Sequence, residues 1–164
     1  MPLIKSDAVE HDIWTYLGAN EYPGGDQPLI VDYIRWREGD GAIAAHNGPL
    51  GIRLRSDQAP KLIADDIGRF DLIALAFPVM ADGRSFSHAR ILRNRLHFKG
   101  ELRAVGTVLE DQIFFMRRCG FDAFELDAEQ NVDRAISALT GISTAYQAAS
   151  ADLAPAFRNR QPGG

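Results

Sequence analysis

The stretch Pro78-Val-Met-Ala-Asp-Gly-Arg-Ser-Phe-Ser-His88 brings a carboxylate, a guanidinium, two hydroxyls and an imidazole close together in the chain. If it opens a helix, the free backbone N–H groups there favour an anion. Arg84 can then clamp a phosphate, sulfate or carboxylate through two N–H groups. A purely local account is also open, with Asp82-Gly83 forming a turn and Ser85 capping the helix. Asp82 and Asp111 are the candidate general bases, although Asp111 equally serves the dipole of a helix that it precedes. Gln112 is placed to hydrogen-bond a ligand or a neighbouring loop. Ser87, Arg90 and Arg93 follow Arg84 on one helical segment and, with Arg103 and Gln112, form an anion- or partner-binding set.

Charge is unevenly distributed. Between Arg84 and Arg118 eight basic residues face only Glu101, Glu110 and Asp111, a local balance of +5. The remainder must carry −9 for the chain to reach its net −4. A basic segment inside an acidic protein points to an anionic ligand or an acidic partner surface. The alternative is that these arginines only solubilise the wet faces of two helices. Arg103 differs from the others because it lies within a strand. It must face either a barrel interior or a helix layer, where it needs an acidic partner, with Glu101, Glu125 or Asp82 at hand.

Other chemistries lack their residues. His11, His46, His88 and His97 are scattered without ligand spacing, so no metal site is expected. Phosphate-binding glycine loops and C-x-x-C pairs are absent, and no redox cofactor is expected. Lys5, Lys61 and Lys99 avoid strand ends, which disfavours Schiff-base chemistry. The single cysteine, Cys119, suits a small buried hydrophobe in a reducing compartment.

The elements that position these groups alternate. Residues 1–48 are irregular, with a strand at His11–Leu17, a loop over 18–28, a strand at Leu29–Val31 and a helix over Tyr33–Ala45 weakened by Gly39 and Gly41. From 49 to 147 the pattern is regular. Leu50–Leu54 is a strand, and a helix capped by Ser56-Asp57 buries Leu62, Ile63 and Ile67. Asp71–Phe77 is a strand covered on both faces. A helix over Ser85–Leu96, a strand at Leu102–Val105, a helix bearing Ile113, Phe114, Met116 and Cys119, a strand at Ala123–Leu126, a helix at Val132–Leu139 and a strand at Ile142–Tyr146 follow. Residues 148–164 are expected to be a flexible tail. About four βα units imply a parallel sheet, either half-TIM-barrel-like or a small open flavodoxin-like sheet.

At 164 residues the chain suits one domain. No apolar run reaches the ~20 residues needed to span a bilayer, and the N-terminus lacks a signal-peptide core. A cytoplasmic protein without membrane or nucleic-acid partners is therefore expected.

Asp82-Gly-Arg-Ser-Phe-Ser-His-Ala-Arg-Ile-Leu-Arg93, Gly100-Glu-Leu-Arg-Ala-Val-Gly106, Val108-Leu-Glu-Asp-Gln112 and Arg117-Arg-Cys-Gly-Phe-Asp-Ala-Phe124 resemble a bacterial domain-of-unknown-function family, numbered nine-three-four. The pattern D-G-R-x-x-S-x-A-R-x-L-R-x-R is met from Asp82 to Arg95. Val79-Met80-Ala81 departs from the Lys-Phe-Thr-like segment usual there. The likeness is dense over Phe70–Leu126, looser over Gly51–Arg69, faint before Leu29 and absent in the tail. The family carries the label of an oxidoreductase of sulfite reduction, so the resemblance implies sulfur assimilation as the pathway without assigning a mechanism. Three roles follow. The chain is an accessory protein docking on sulfite reductase or an adenylylsulfate-type reductase, an enzyme acting on a small anion at the strand ends, or a half-barrel whose site forms in a homodimer.

Overall fold

The computed structural model describes residues 1–21, 24–79 and 82–141. Eight strands form one sheet: β1 (Leu3–Lys5), β2 (Ala8–Glu10), β3 (Thr15–Tyr16), β4 (Leu29–Asp32), β5 (Leu50–Leu54), β6 (Leu72–Phe77), β7 (Glu101–Gly106) and β8 (Ala123–Glu125). Their order is β2-β1-β8-β7-β6-β5-β4-β3. Strands β3 to β8 pair in parallel, and β1 runs antiparallel to both β2 and β8. The helices are α1 (Tyr33–Arg37), α2 (Gly41–Ala44), α3 (Arg84–Asn94) and α4 (Ile113–Cys119), with a 3-10 segment at Pro60–Arg69. Residues 132–141 are also helical.

Strands β3 to β8 follow one another without reversal, so the sheet is singly wound. A flavodoxin-like sheet reverses its strand order and carries helices on both faces. Here the main hydrophobic core, including Ile52, Ile73, Leu75, Leu102, Ala104 and Phe124, occupies one face and packs against the helices. The alternate residues Ile30, Leu72, Ala74, Ala76 and Val105 form a small second cluster with Trp14 on the other face. Strand periodicity of two produces this partition.

The sheet is also curled. The Tyr16 hydroxyl on β3 donates to Glu125 on β8 at 2.6 Å, although five strand spacings separate these strands in the sheet order. On a flat sheet that is ~24 Å, far beyond a tyrosine's reach. Glu10 ends β2 and Thr15 begins β3 at the opposite edge. The intervening link extends at most ~18 Å, whereas seven flat spacings would need ~34 Å. The fold is thus half-TIM-barrel-like, curled around residues 11–14.

The first 48 residues supply four of the eight strands, two at each end of the sheet. The strand expected over His11–Leu17 shrinks to Thr15–Tyr16, while Leu3–Glu10 forms a hairpin instead. Its turn residues, Ser6 and Asp7, both adopt positive φ (54° and 63°), as a type I′ hairpin turn requires. The helix expected over Tyr33–Ala45 is split at Gly39 (φ 74°). Asp40 then caps the second piece by accepting from the Ala42 amide at 2.9 Å.

Ser56-Asp57 does not cap a helix. Residues 55–58 close their own turn, with Gln58 N donating to Arg55 O at 2.9 Å and Arg55 N donating to Gln58 Oε1 at 2.8 Å. The 3-10 segment therefore begins only at Pro60. Its three-residue period brings Pro60 and Ile63 inward and leaves Leu62 exposed, where burial was expected. The expected strand at 142–146 and tail at 148–164 lie outside the described residues. Among the described residues, no helix is long and apolar enough to cross a membrane.

Candidate anion site at the strand ends

Parallel β/α folds gather functional groups beyond the carboxyl ends of their strands. Here a cleft of about 410 Å³ opens beyond β5, β6 and β7. Arg53, Arg55, Ser56 and Asp57 line one side, and Ala76, Phe77, Pro78, Gly106 and Thr107 the other. A second cavity of about 180 Å³ shares Arg53 and Arg55 and adds Asp32, Tyr33 and Gln58. The two arginines thus stand between two cavities.

Alternation along Leu50-Gly-Ile-Arg-Leu54 places Arg53 on the face opposite Ile52 and Leu54, which lie in the main core. Its guanidinium is weakly held. The nearest carboxylate, Asp32, lies 3.9 Å away, and the arginine side chain is 41% exposed. Its Nε is buried without a hydrogen-bond partner among the described residues. Arg55 is 61% exposed, and among the described residues its guanidinium pairs with Asp57 alone, at 3.3 Å. Exposed pairs of this kind contribute little to stability, so both cations are free to turn towards a ligand. At the far wall, Gly106 has φ 91° and a Cβ there would lie 2.6 Å from the Phe77 carbonyl oxygen. Only glycine permits that approach, which also lets Thr107 N donate to Phe77 O at 2.8 Å.

Asp82 and Arg84 sit at the lip. Arg84 donates to Asp82 through Nε at 2.9 Å and Nη2 at 2.7 Å, and to the Ser56 hydroxyl at 3.1 Å. The Arg84 guanidinium first, and the Ser56 hydroxyl second, hold the Asp82 carboxyl far below the usual range. Asp82 also accepts from the Arg84 amide at 3.2 Å, so it, and not Ser85, serves the start of α3. The buried Ser85 hydroxyl instead donates to the Ala76 carbonyl at 2.7 Å, fixing α3 to β6.

The other predicted residues spread along the molecule. Ser87 and Arg90 line a shallow depression on the outside of α3 with Ile91, Asn94 and Arg95, and Arg90 lies over the exposed Phe115 ring at 5.7 Å. Arg93 is at the amino ends of the strands. It donates to the carbonyls of Gly120 (2.9 Å), Phe98 (2.8 Å) and Gly100 (2.9 Å), and to Asp122 (2.6 Å). Asp111 and Gln112 immediately precede α4, and Gln112 is its N-cap without a side-chain capping bond. The basic segment is therefore not one face.

Arg103 points into the barrel interior, its side chain 1% exposed. It donates to Asp12 at 2.7 and 3.1 Å, Glu101 at 2.8 Å and Glu125 at 2.9 Å. Of the expected partners Glu101 and Glu125 are present. Asp82 is engaged elsewhere, and Asp12 takes its place. Burial alone would lower the Arg103 pKa, but these carboxylates outweigh it and raise it. Lys5 extends the network to Glu101 at 2.8 Å, and Tyr16 extends it through Glu125.

Arg53, Thr107, Asp12 and Tyr16 were not singled out from sequence. Strand alternation in β5 was enough to find Arg53. Asp12 and Tyr16 depend on the curl of the sheet, which carries no local signal. Among the described residues, no group of three or more histidine, cysteine, aspartate or glutamate side chains is placed to hold a metal ion. Cys119 is buried in the core.

A family model described as "Bacterial protein of unknown function (DUF934)" matches residues 51–157. The chain belongs to this family. The match begins at the second residue of β5, runs past β8 and takes in every residue lining the cleft. It runs further than the residue-level likeness, into the tail beyond 148 where none was expected. No curated protein matches the chain.

Proposed function

We propose that the chain is an anion-binding component of assimilatory sulfite reduction, holding its ligand in the strand-end cleft against Arg53 and Arg55. The observation that carries this reading is the pair of under-satisfied guanidiniums at the carboxyl mouth of parallel strands. Such groups bind oxyanions through charge-assisted, two-pronged hydrogen bonds. The pathway is supported by the resemblance to the sulfite-reduction family over Phe70–Leu126.

Within this reading Arg84 offers a third cation at the lip, and Asp82 orients it. A carboxylate held far below its usual range is a poor base, so Asp82 acts as a positioning group for Arg84. Growth on sulfate or sulfite as sole sulfur source tests the role. A chromosomal R53Q/R55Q double variant should grow as poorly as a deletion strain, and wild-type growth would reject the cleft as the working site.

A docking role has one observation in its favour. Arg90, Arg95 and Arg118 are exposed and form no ion pair among the described residues, and Phe115 beside Arg90 is 46% exposed. Arginine beside an exposed aromatic ring is typical of the energetic centres of protein interfaces. Co-purification with sulfite reductase that is lost in R90E/R95E and weakens with salt would favour this role over the cleft.

A further inference from the structure

We infer that the ligand of the strand-end cleft is an organic monoanion with an apolar body, not a free inorganic oxyanion. This inference rests on the reading of the cleft as an anion site. Size is the first ground. The open cleft offers about 410 Å³, whereas a tetrahedral oxyanion fills the space of a few waters, roughly 60–90 Å³ at about 30 Å³ each. Cavities of about 300–1,000 Å³ accommodate molecules with an organic skeleton.

The distribution of wall chemistry is the second ground. The charged groups stand on the β5 side, at Arg53, Arg55 and Asp57, with Ser56 beside them. The opposite wall presents the apolar side chains of Ala76 and Pro78 at the end of β6, while the Phe77 ring is turned into the main core and Thr107 adds a hydroxyl at the end of β7. A molecule charged at one end and apolar at the other matches both walls at once. Sulfate or sulfite would leave the apolar wall against water.

Charge is the third ground. Each arginine is accompanied by one carboxylate, Arg55 by Asp57 at 3.3 Å and Arg53 by Asp32 at 3.9 Å. The four groups sum to zero, so a dianion would bring its second charge against two carboxylates. One negative charge needs only to displace a loose ion pair, and hydroxyl or amino groups on the ligand can donate to the carboxylate released.

The test titrates the full chain with sulfate, methanesulfonate, benzenesulfonate and benzyl alcohol, following amide shifts in 1H–15N spectra. Benzenesulfonate should bind at least about tenfold more tightly than methanesulfonate or sulfate. In R53Q/R55Q its affinity should fall to that of benzyl alcohol. Sulfate binding as tightly as benzenesulfonate, and sensitive to the double variant, overturns the organic-ligand inference while leaving an anion site. Benzyl alcohol matching benzenesulfonate overturns the anionic part. If no probe responds to the double variant, the anion reading of the cleft fails as well.

Discussion

Arg103 and Arg53 occupy neighbouring parts of one curled sheet and have opposite relations to their surroundings. Arg103 is buried, and its guanidinium is filled by Asp12, Glu101 and Glu125. Arg53 is half-exposed, with Nε unpartnered and its nearest carboxylate at 3.9 Å. Arg103 joins the edge link, β7 and β8, and keeps the sheet curled. Arg53 closes nothing and faces a cleft. The functional potential of an arginine thus depends on how many of its donors the fold has already used. Local density of basic residues is a poor guide to this, since Arg53 lies outside the basic segment.

The largest expected effect comes from breaking the satisfied centre. Arg103→Ala leaves Glu125 buried without its cation and Glu101 with Lys5 alone, and should cost about 3–5 kcal/mol, read as a lower midpoint in urea unfolding. Arg93→Ala removes four hydrogen bonds at the amino ends of β7 and β8 and should cost about 2 kcal/mol in the same measurement. Gly106→Ala forces a left-handed φ and a close contact with Phe77 O, for about 1–2 kcal/mol, and should also weaken anion binding by moving the cleft wall. Equal losses of stability from Arg53→Gln and Arg103→Ala would remove the contrast between the two arginines.

His88 gives a smaller, pH-dependent effect. Burial first, and the Arg84 charge second, lower its pKa below the ordinary 6.5. The unfolded chain therefore binds a proton that the folded chain does not, and stability falls as pH drops below about 6.5 towards the folded value. His88→Gln should flatten the loss of Tm between pH 7 and 5, and an unchanged slope would exclude His88 as its source. The smallest effect on stability belongs to the cleft. R53Q/R55Q should unfold within about 0.5 kcal/mol of wild type, while losing anion binding.

The βα alternation from Leu50 onwards was legible because each strand is apolar, each helix is amphipathic and glycines mark the junctions. Once the strands are placed, the rule that parallel strands gather functional groups beyond their carboxyl ends leads to the loops after β5, β6 and β7 that line the cleft. Local patterns could not show the N-terminal hairpin, whose turn is Ser6-Asp7 and lacks the glycine that usually marks such a turn. They also could not show that Asp12 crosses the chain to reach Arg103, a partner 91 residues away. Ser56 and Ser85 have the composition of helix caps, yet tertiary partners, Arg84 and the Ala76 carbonyl, claim their hydroxyls.

The central claim is that the anion site lies among the weakly held arginines at the strand ends and not along the basic helix α3. A benzenesulfonate titration followed in 1H–15N spectra of the full chain tests it most directly. Saturable shifts should appear at the amides of Arg53, Arg55, Ser56 and Thr107. Shifts confined to Ser87–Arg95, with those four amides unmoved, would contradict it.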